Sequence, residues 1–84
     1  MPKSIYSAGQ EKMQELLRQI RLNAGMTQED LASKLGRPQS FVSKYESGER
    51  RLDVLELREV CNALKITLAN FVQKLEATLR SSGR

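Results

Sequence analysis

The sequence has 84 residues, a net charge of +4 and no histidine, with 39% apolar and 29% charged residues. This composition is typical of one small folded domain rather than a disordered chain, and its positive charge favours a polyanionic partner. With no histidine and Cys61 as its single cysteine, the chain lacks the usual general base, an intrachain disulfide and a cysteine-based metal site. We therefore expect neither an enzyme nor a bound metal ion or other cofactor.

The two ends of the sequence show no sustained hydrophobic period. Residues 1–9 are predicted as a flexible arm, residues 10–80 as one domain and residues 81–84 as a frayed tail. No apolar run approaches the ~18 residues of a membrane-spanning helix, and the arm lacks the apolar stretch of a signal peptide. We expect a soluble, cytoplasmic protein with no membrane partner.

Five helical patterns follow the arm, and glycines end the first three. The first carries an apolar stripe at positions i, i+3, i+4 and i+7, formed by Met13, Leu16, Leu17 and Ile20. Gly25 follows it as a left-handed cap. Thr27 caps the second helix, with Asp30 completing a variant of the capping box, and Gly36 ends it. Pro38 is placed in the first turn of the third helix, which ends at Gly48.

Two further helices complete the domain. Asp53 and Glu56 form a second capping pair, before an apolar stripe of Leu57, Val60, Cys61 and Leu64. Thr67 caps the fifth helix, whose apolar positions are Leu68, Phe71, Val72, Leu75 and Leu79. No strand-like alternation persists along the chain. The predicted fold class is therefore all-α, and Cys61 is interpreted as a small buried apolar residue rather than a redox sensor.

The second and third helices are short and joined by a tight turn, which predicts a helix-turn-helix from about Thr27 to Ser47. In this motif the second helix lies in the major groove of DNA. Its polar positions are hydrogen-bonding groups suited to base edges, and we predict base contacts from Gln39, Ser40, Ser43 and Lys44. The alternative is an ordinary solvated helix face. Phe41 is interpreted either as a core residue or as a contact to a thymine methyl group.

Positive charge flanks this polar face. Gln28 lies at the start of the second helix, where an amide and backbone N–H groups can meet a phosphate. Arg37 lies in the turn, and Arg50 and Arg51 follow the third helix. We predict that these residues contact the DNA backbone, and that the acidic stretch from Asp53 to Glu59 faces away. The alternative for Arg50 and Arg51 is a merely solvated loop.

The run LRQIRLNAGMTQEDLASKLGRPQSFVSKYESGERR resembles the Cro/C1-type (Xre) helix-turn-helix family of the phage repressors. The resemblance extends over about residues 17–75. It rests on an ordered combination: Arg21, then Gly25-Met26-Thr27-Gln28, Leu31-Ala32, Leu35-Gly36, Val42-Ser43-x-Tyr45-Glu46-x-Gly48 and Leu64-x-Ile66. It implies a compact five-helix, lambda-repressor-like domain in a protein of prokaryotic or phage origin, associated with the nucleoid.

The resemblance also implies roles for individual residues. Gln28 corresponds to the family glutamine that anchors on phosphate and supports the recognition helix. The base-facing positions correspond to Gln39, Ser40, Ser43 and Lys44, and the backbone-contacting loop corresponds to Ser47, Arg50 and Arg51. Arg21 and Glu46 correspond to a structural ion pair between the first helix and the end of the third. Arg37, Pro38 and Leu52-Asp53 depart from the family pattern, which makes the turn and the path into the fourth helix less predictable.

The function expected from these features is a transcriptional regulator, with a repressor as the first choice. One such module covers a single half-site, so we expect a homodimer on a near-palindromic double-stranded operator. The predicted dimer interface is the apolar surface of the fifth helix, comprising Leu68, Phe71, Val72, Leu75 and Leu79. In the alternative, Phe71 and Leu75 complete the core of the monomer. A restriction–modification controller is a variant of the same function, as is the antitoxin of a toxin–antitoxin pair with a second protein partner.

Overall fold

A computed structural model describes residues 6–83 and places them in five helices with no strand among them. The helices are α1 (Tyr6–Asn23), α2 (Gln28–Leu35), α3 (Gln39–Ser47), α4 (Val54–Ala63) and α5 (Leu68–Gly83). The Cα radius of gyration is 12.7 Å. The predicted all-α, five-helix fold is confirmed.

Side-chain caps fix the starts of three helices. Thr27 Oγ1 accepts from the Asp30 N–H at 3.0 Å, and Asp30 Oδ2 accepts from the Thr27 N–H at 2.9 Å. Asp53 and Glu56 form the same reciprocal pair at the start of α4, at 2.7 and 3.0 Å. Each pair satisfies N–H groups that have no partner within the helix. Thr67 caps α5 through the Asn70 N–H at 3.0 Å, so all three predicted caps are present.

The ends of the helices differ from the predicted boundaries. Helix α1 begins at Tyr6 and therefore includes Tyr6–Gly9, which we had assigned to the arm. The rest of that arm, residues 1–5, lies outside the described residues. Helix α5 extends to Gly83 and includes most of the predicted tail. Pro38 is the N-cap of α3, one position before the helical turn in which we had placed it.

The hydrophobic core lies where all five helices meet. Its fully buried side chains come from every helix: Leu17, Leu31, Val42, Tyr45, Val60, Cys61 and Phe71. Each fully buried aliphatic or aromatic side chain of this size contributes roughly 1.5–3 kcal/mol. Burial raises the pKa of the Cys61 thiol to about 11, so the thiol stays neutral, in agreement with the interpretation of Cys61 as a core residue.

The burial of Phe71 bears on one of the five residues of the predicted dimer interface, which itself stays a prediction. This ring is fully buried within one chain, so a second chain cannot reach it. Leu68 and Leu75 are partly buried against the same core, which agrees with the alternative in which α5 completes the core of the monomer. Of the five predicted positions, Val72 is the most exposed, at 42%. Two apolar residues at the start of α4, which the sequence analysis did not select, are more exposed still: Val54 at 64% and Leu55 at 69%.

Candidate nucleic-acid interface

The turn between α2 and α3 depends on a left-handed residue. Gly36 has φ 68° and ψ 32°, and its N–H donates to the carbonyls of Ala32 and Ser33. The Arg37 N–H donates to the Ala32 carbonyl at 3.0 Å, which closes the end of α2. An L residue with a side chain adopts this conformation only at a cost, whereas glycine adopts it freely. Pro38 then leaves the turn in an extended conformation, with φ −65° and ψ 153°, and directs the chain into α3.

Helix α3 has one buried side and one exposed side. Phe41, Val42 and Tyr45 face the core, and the rings of Phe41 and Tyr45 meet edge to face with centroids 5.6 Å apart. The polar residues on the other side are the predicted base contacts: Gln39, Ser40 and Lys44 are exposed and Ser43 is half-buried. Because Phe41 is only 8% exposed, its ring is a core residue and is not placed to meet a thymine methyl group.

Arg21 and Glu46 form a bidentate ion pair between α1 and the end of α3. Arg21 Nε donates to Glu46 Oε2 at 2.8 Å and Arg21 Nη2 donates to Oε1 at 3.0 Å. A third donor, Nη1, meets the Met26 carbonyl at 2.8 Å. The two side chains are 7% and 4% exposed, and the hydrogen bonds to Glu46 raise the pKa of Arg21 above its already high ordinary value. The pair fixes the C-terminal end of α3 against α1.

Gln28 connects this ion pair to the first residue of α3. Its Nε2 donates to Glu46 Oε1 at 3.0 Å, and its Oε1 accepts from Gln39 Nε2 at 2.8 Å. A continuous hydrogen-bonded chain therefore runs from Arg21 through Glu46 and Gln28 to Gln39. This series of hydrogen bonds connects α1, α2 and both ends of α3. The separate roles predicted for Gln28 and Gln39 did not include a bond between them, because their separation of 11 residues carries no sequence signal.

The two arginines that flank α3 are held by carboxylates of α4. Arg50 makes a bidentate pair with Glu56 at 2.8 and 3.0 Å, and its Nη1 also donates to the Arg51 carbonyl at 3.0 Å. Arg37 lies 3.5 Å from a Glu59 oxygen. The acidic stretch of α4 is therefore in direct contact with the basic flank, in contrast to the expected separation. Arg50 and Glu56 are six residues apart across a loop, a spacing that carries no sequence signal.

Glu56 has two partners at once, which keeps its carboxylate charged. The Arg50 guanidinium and the Asp53 N–H hydrogen-bond to it and lower its pKa from the ordinary 4.5 to about 2. The same ion pair raises the pKa of Arg50. The ion pair thereby fixes the loop between α3 and α4, the segment in which Leu52-Asp53 departs from the family pattern.

The remaining predicted backbone contacts, Ser47 and Arg51, are exposed at the end of α3 and in the loop after it. Ser47 Oγ donates to the Lys44 carbonyl at 3.1 Å. Gly48 ends α3 with φ 90°, and a Cβ there would lie 3.0 Å from Gln14 Nε2. The left-handed backbone favours glycine at this position, and an added Cβ would also displace the end of the Gln14 side chain.

Residues 6–83 contain no cluster of three or more side chains able to hold a metal ion. None of the helices in that range has the length and apolar character needed to cross a membrane.

Comparisons with known proteins agree with this geometry. The helix-turn-helix family model matches residues 17–71. An XRE-family-like protein from Pseudomonas syringae pv. tomato str. DC3000 is 46% identical, with a TM-score of 0.82, over 87% of this chain and 89% of its own. The restriction–modification controller protein C.Esp1396I is 28% identical, with a TM-score of 0.81, over 94% of this chain and 99% of its own. No curated protein matches the sequence.

The same controller protein is also known as a tetramer in complex with its natural 35 base-pair operator. In that complex it is 28% identical to this chain, with a TM-score of 0.79, over 92% of this chain and 97% of its own. The family model covers more than half of the sequence, and the Pseudomonas protein matches most of it at high identity. The chain therefore belongs to the Cro/C1-type (Xre) helix-turn-helix family of DNA-binding transcription regulators.

Proposed function

We propose that this protein reads the major groove of double-stranded DNA with the exposed side of α3, binds a near-palindromic operator as a homodimer and represses transcription. The observation that carries the proposal is the hydrogen-bonded chain from Arg21 to Gln39. It fixes both ends of a helix whose outward side chains are short or flexible hydrogen-bonding groups. An ordinary solvated helix face has no need of such a connection to two other helices.

The side chains on that face suit base edges. Gln39 gives one N–H to Gln28, and its carbonyl and second N–H are the two groups with which an amide pairs with adenine. Lys44 can donate to guanine, and Ser40 and Ser43 to several bases. Gln28, Arg37, Ser47, Arg50 and Arg51 surround this face and are proposed to contact phosphates, which position the helix without reading sequence.

A homodimer is proposed because one recognition helix covers only one half-site. With Phe71 buried, the surface of α5 available to a second copy is centred on Val72, flanked by Leu68, Leu75 and Leu79. The operator complex of the C.Esp1396I controller, a tetramer, supports an oligomer on DNA. The same similarity favours a second candidate, a restriction–modification controller, which would use the same surface on DNA.

The decisive experiment is selection of bound sequences from a random duplex library. We expect an enriched site with two inverted half-sites one helical turn apart. No enrichment would contradict sequence-specific binding, and an enriched single half-site would contradict the dimer. Gln39→Ala should weaken binding to the selected site by ~1–3 kcal/mol and relax the preference at one base pair. Gln73→Ala makes the same chemical change on the exposed surface of α5 and should leave both unchanged.

The interface can be tested separately by sedimentation. Val72→Glu adds a charge to the exposed part of α5 and should convert dimers to monomers without disturbing the core. Leu55→Glu makes a similar change at the start of α4, a second exposed apolar position. Monomers from Leu55→Glu alone would place the interface on α4 instead.

A further inference from the structure

The ring of Phe41 lies against two guanidinium groups that come from opposite ends of α3. The Arg37 Cζ atom is 4.4 Å from the ring centroid and the Arg50 Cζ atom is 4.8 Å from it. Both distances are within the range of a cation–π contact. Arg37 belongs to the turn before α3 and Arg50 to the loop after it, so one ring brings together two cations that are 13 positions apart in the sequence.

Each guanidinium is held from a second side by a carboxylate of α4. Arg50 pairs with Glu56 at 2.8 Å and Arg37 with Glu59 at 3.5 Å. Glu56 and Glu59 are three residues apart and therefore lie on one side of the helix. The two arginine side chains nevertheless remain 34% and 37% exposed. Arg50 is thus held by a bidentate pair and the ring, Arg37 by the ring and a longer exposed contact, and both are still accessible to a ligand.

The two arginines border an open groove of about 450 Å³ beside α3. Phe41 also lines it, and the remaining lining residues are Pro38, Ser40, Lys44 and Glu49. The lining contains three cationic side chains and one carboxylate, while Glu56 and Glu59 pair with the two arginines from outside the groove. The groove therefore offers an anion the exposed N–H donors of two guanidinium groups and the ammonium group of Lys44, rather than a large excess of charge. Ser40 and Lys44 belong to the proposed base-reading face, so an anion in this groove would lie beside the bases that α3 contacts.

We infer that Phe41 is a positioning residue for phosphate binding, gathering Arg37 and Arg50 into one groove that takes a backbone phosphate of the operator. This inference rests on the proposed function. Guanidinium groups stack on aromatic faces and present several N–H donors in a fixed plane, whereas an ammonium group is a compact point charge. A pre-positioned pair of guanidinium groups binds phosphate without the loss of side-chain freedom that loose arginines would undergo.

The test keeps the net charge constant. Arg37→Lys and Arg50→Lys retain the positive charge but remove the planar group that lies over the ring. Each should weaken operator binding ~two- to fivefold. Arg80→Lys is the matched control, since Arg80 lies on α5 and its side chain is 82% exposed, and it should bind as the wild type does. If Arg37→Lys and Arg50→Lys bind the operator as tightly as Arg80→Lys and the wild type do, the inference is wrong.

Phe41 itself is tested by a second set of variants. Phe41→Leu keeps an apolar side chain in the core but removes the ring, and should weaken binding and lower the salt dependence of the binding constant. In the double variant Arg37→Lys/Arg50→Lys it should have no further effect, whereas a purely structural role would weaken binding equally in both backgrounds. Phe41→Tyr retains an aromatic face and should bind the operator as tightly as the wild type does. If Phe41→Leu does not fold, the test is the comparison of Arg37→Lys and Arg50→Lys with the control Arg80→Lys.

The outcomes also separate this inference from the proposed function. A wild-type protein that enriches no duplex sequence contradicts the proposed function. A wild-type protein that selects an operator, with lysine variants that bind it equally well at every salt concentration, contradicts only the role of Phe41.

Discussion

Gln28 Oε1 accepts a hydrogen bond from Gln39 Nε2 at 2.8 Å, which joins the first residue of α2 to the first residue of α3. The same Gln28 side chain donates to Glu46 at 3.0 Å. One amide of α2 thus contacts both the start and the end of the recognition helix. The orientation of the Gln39 side chain therefore depends on residues that have no need to touch a base themselves.

Gln28→Ala should consequently affect selectivity as well as affinity. Without its partner, Gln39 has more conformational freedom, and the preference at the base pair that it reads should weaken by part of the ~1–3 kcal/mol of a bidentate contact. The measurement is competition between the selected operator and a variant changed at that base pair. Gln28 would be merely a phosphate contact if its removal weakened both duplexes by the same factor.

The buried Arg21–Glu46 pair predicts a large and non-additive effect on stability. Arg21→Met or Glu46→Leu alone leaves an unpaired buried charge and should lower the free energy of unfolding by ~3–5 kcal/mol. The double variant should lose less than the sum of the two, which a denaturant-unfolding cycle measures. Glu76→Gln, which breaks the exposed Arg80–Glu76 pair, should cost no more than ~0.5 kcal/mol. Additive losses would show that the two side chains act independently.

The Arg50–Glu56 ion pair should make the stability of the fold depend on pH in the acid range. Because the pKa of Glu56 is about 2 in the folded chain and 4.5 ordinarily, the charged carboxylate stabilises the fold above pH 4.5. That stabilisation is lost as the pH falls from 4.5 towards 2. Glu56→Gln should therefore reduce the steepness of unfolding in this window, whereas Glu11→Gln, at an exposed position of α1, is the matched control. Identical acid-unfolding curves for Glu56→Gln and wild type would contradict the pairing.

Replacing Lys65 by glycine should stabilise the fold. Lys65, the residue after Leu64, which is the C-cap of α4, has φ 64°. This conformation costs an L residue ~1–2 kcal/mol, whereas glycine adds ~0.4–1 kcal/mol of conformational freedom to the unfolded chain. Lys65→Gly should therefore raise the free energy of unfolding by up to about 1 kcal/mol. Lys74→Gly, within α5, should lower it by ~1 kcal/mol. Equal losses in the two variants would indicate that Lys65 is not strained.

The sequence determined the fold to within a few residues at each helix end. Caps such as Thr27 with Asp30, and apolar stripes such as Leu57 with Val60, act over three or four residues, and their spacing is visible in a linear chain. The predicted helix ends were less accurate because no local rule specifies where α1 begins. The start at Tyr6 and the extension of α5 to Gly83 were not foreseen.

The sequence also determined which residues form the outward face of α3, because helical periodicity separates Gln39 and Lys44 from Val42 and Tyr45. Only the tertiary structure decided how that face is held. The bond from Gln28 to Gln39, the position of Arg50 between Glu56 and Phe41, and the burial of Phe71 all depend on contacts between helices. Their sequence separations follow no period, since the packing of one helix on another, rather than the spacing along either, brings these side chains together.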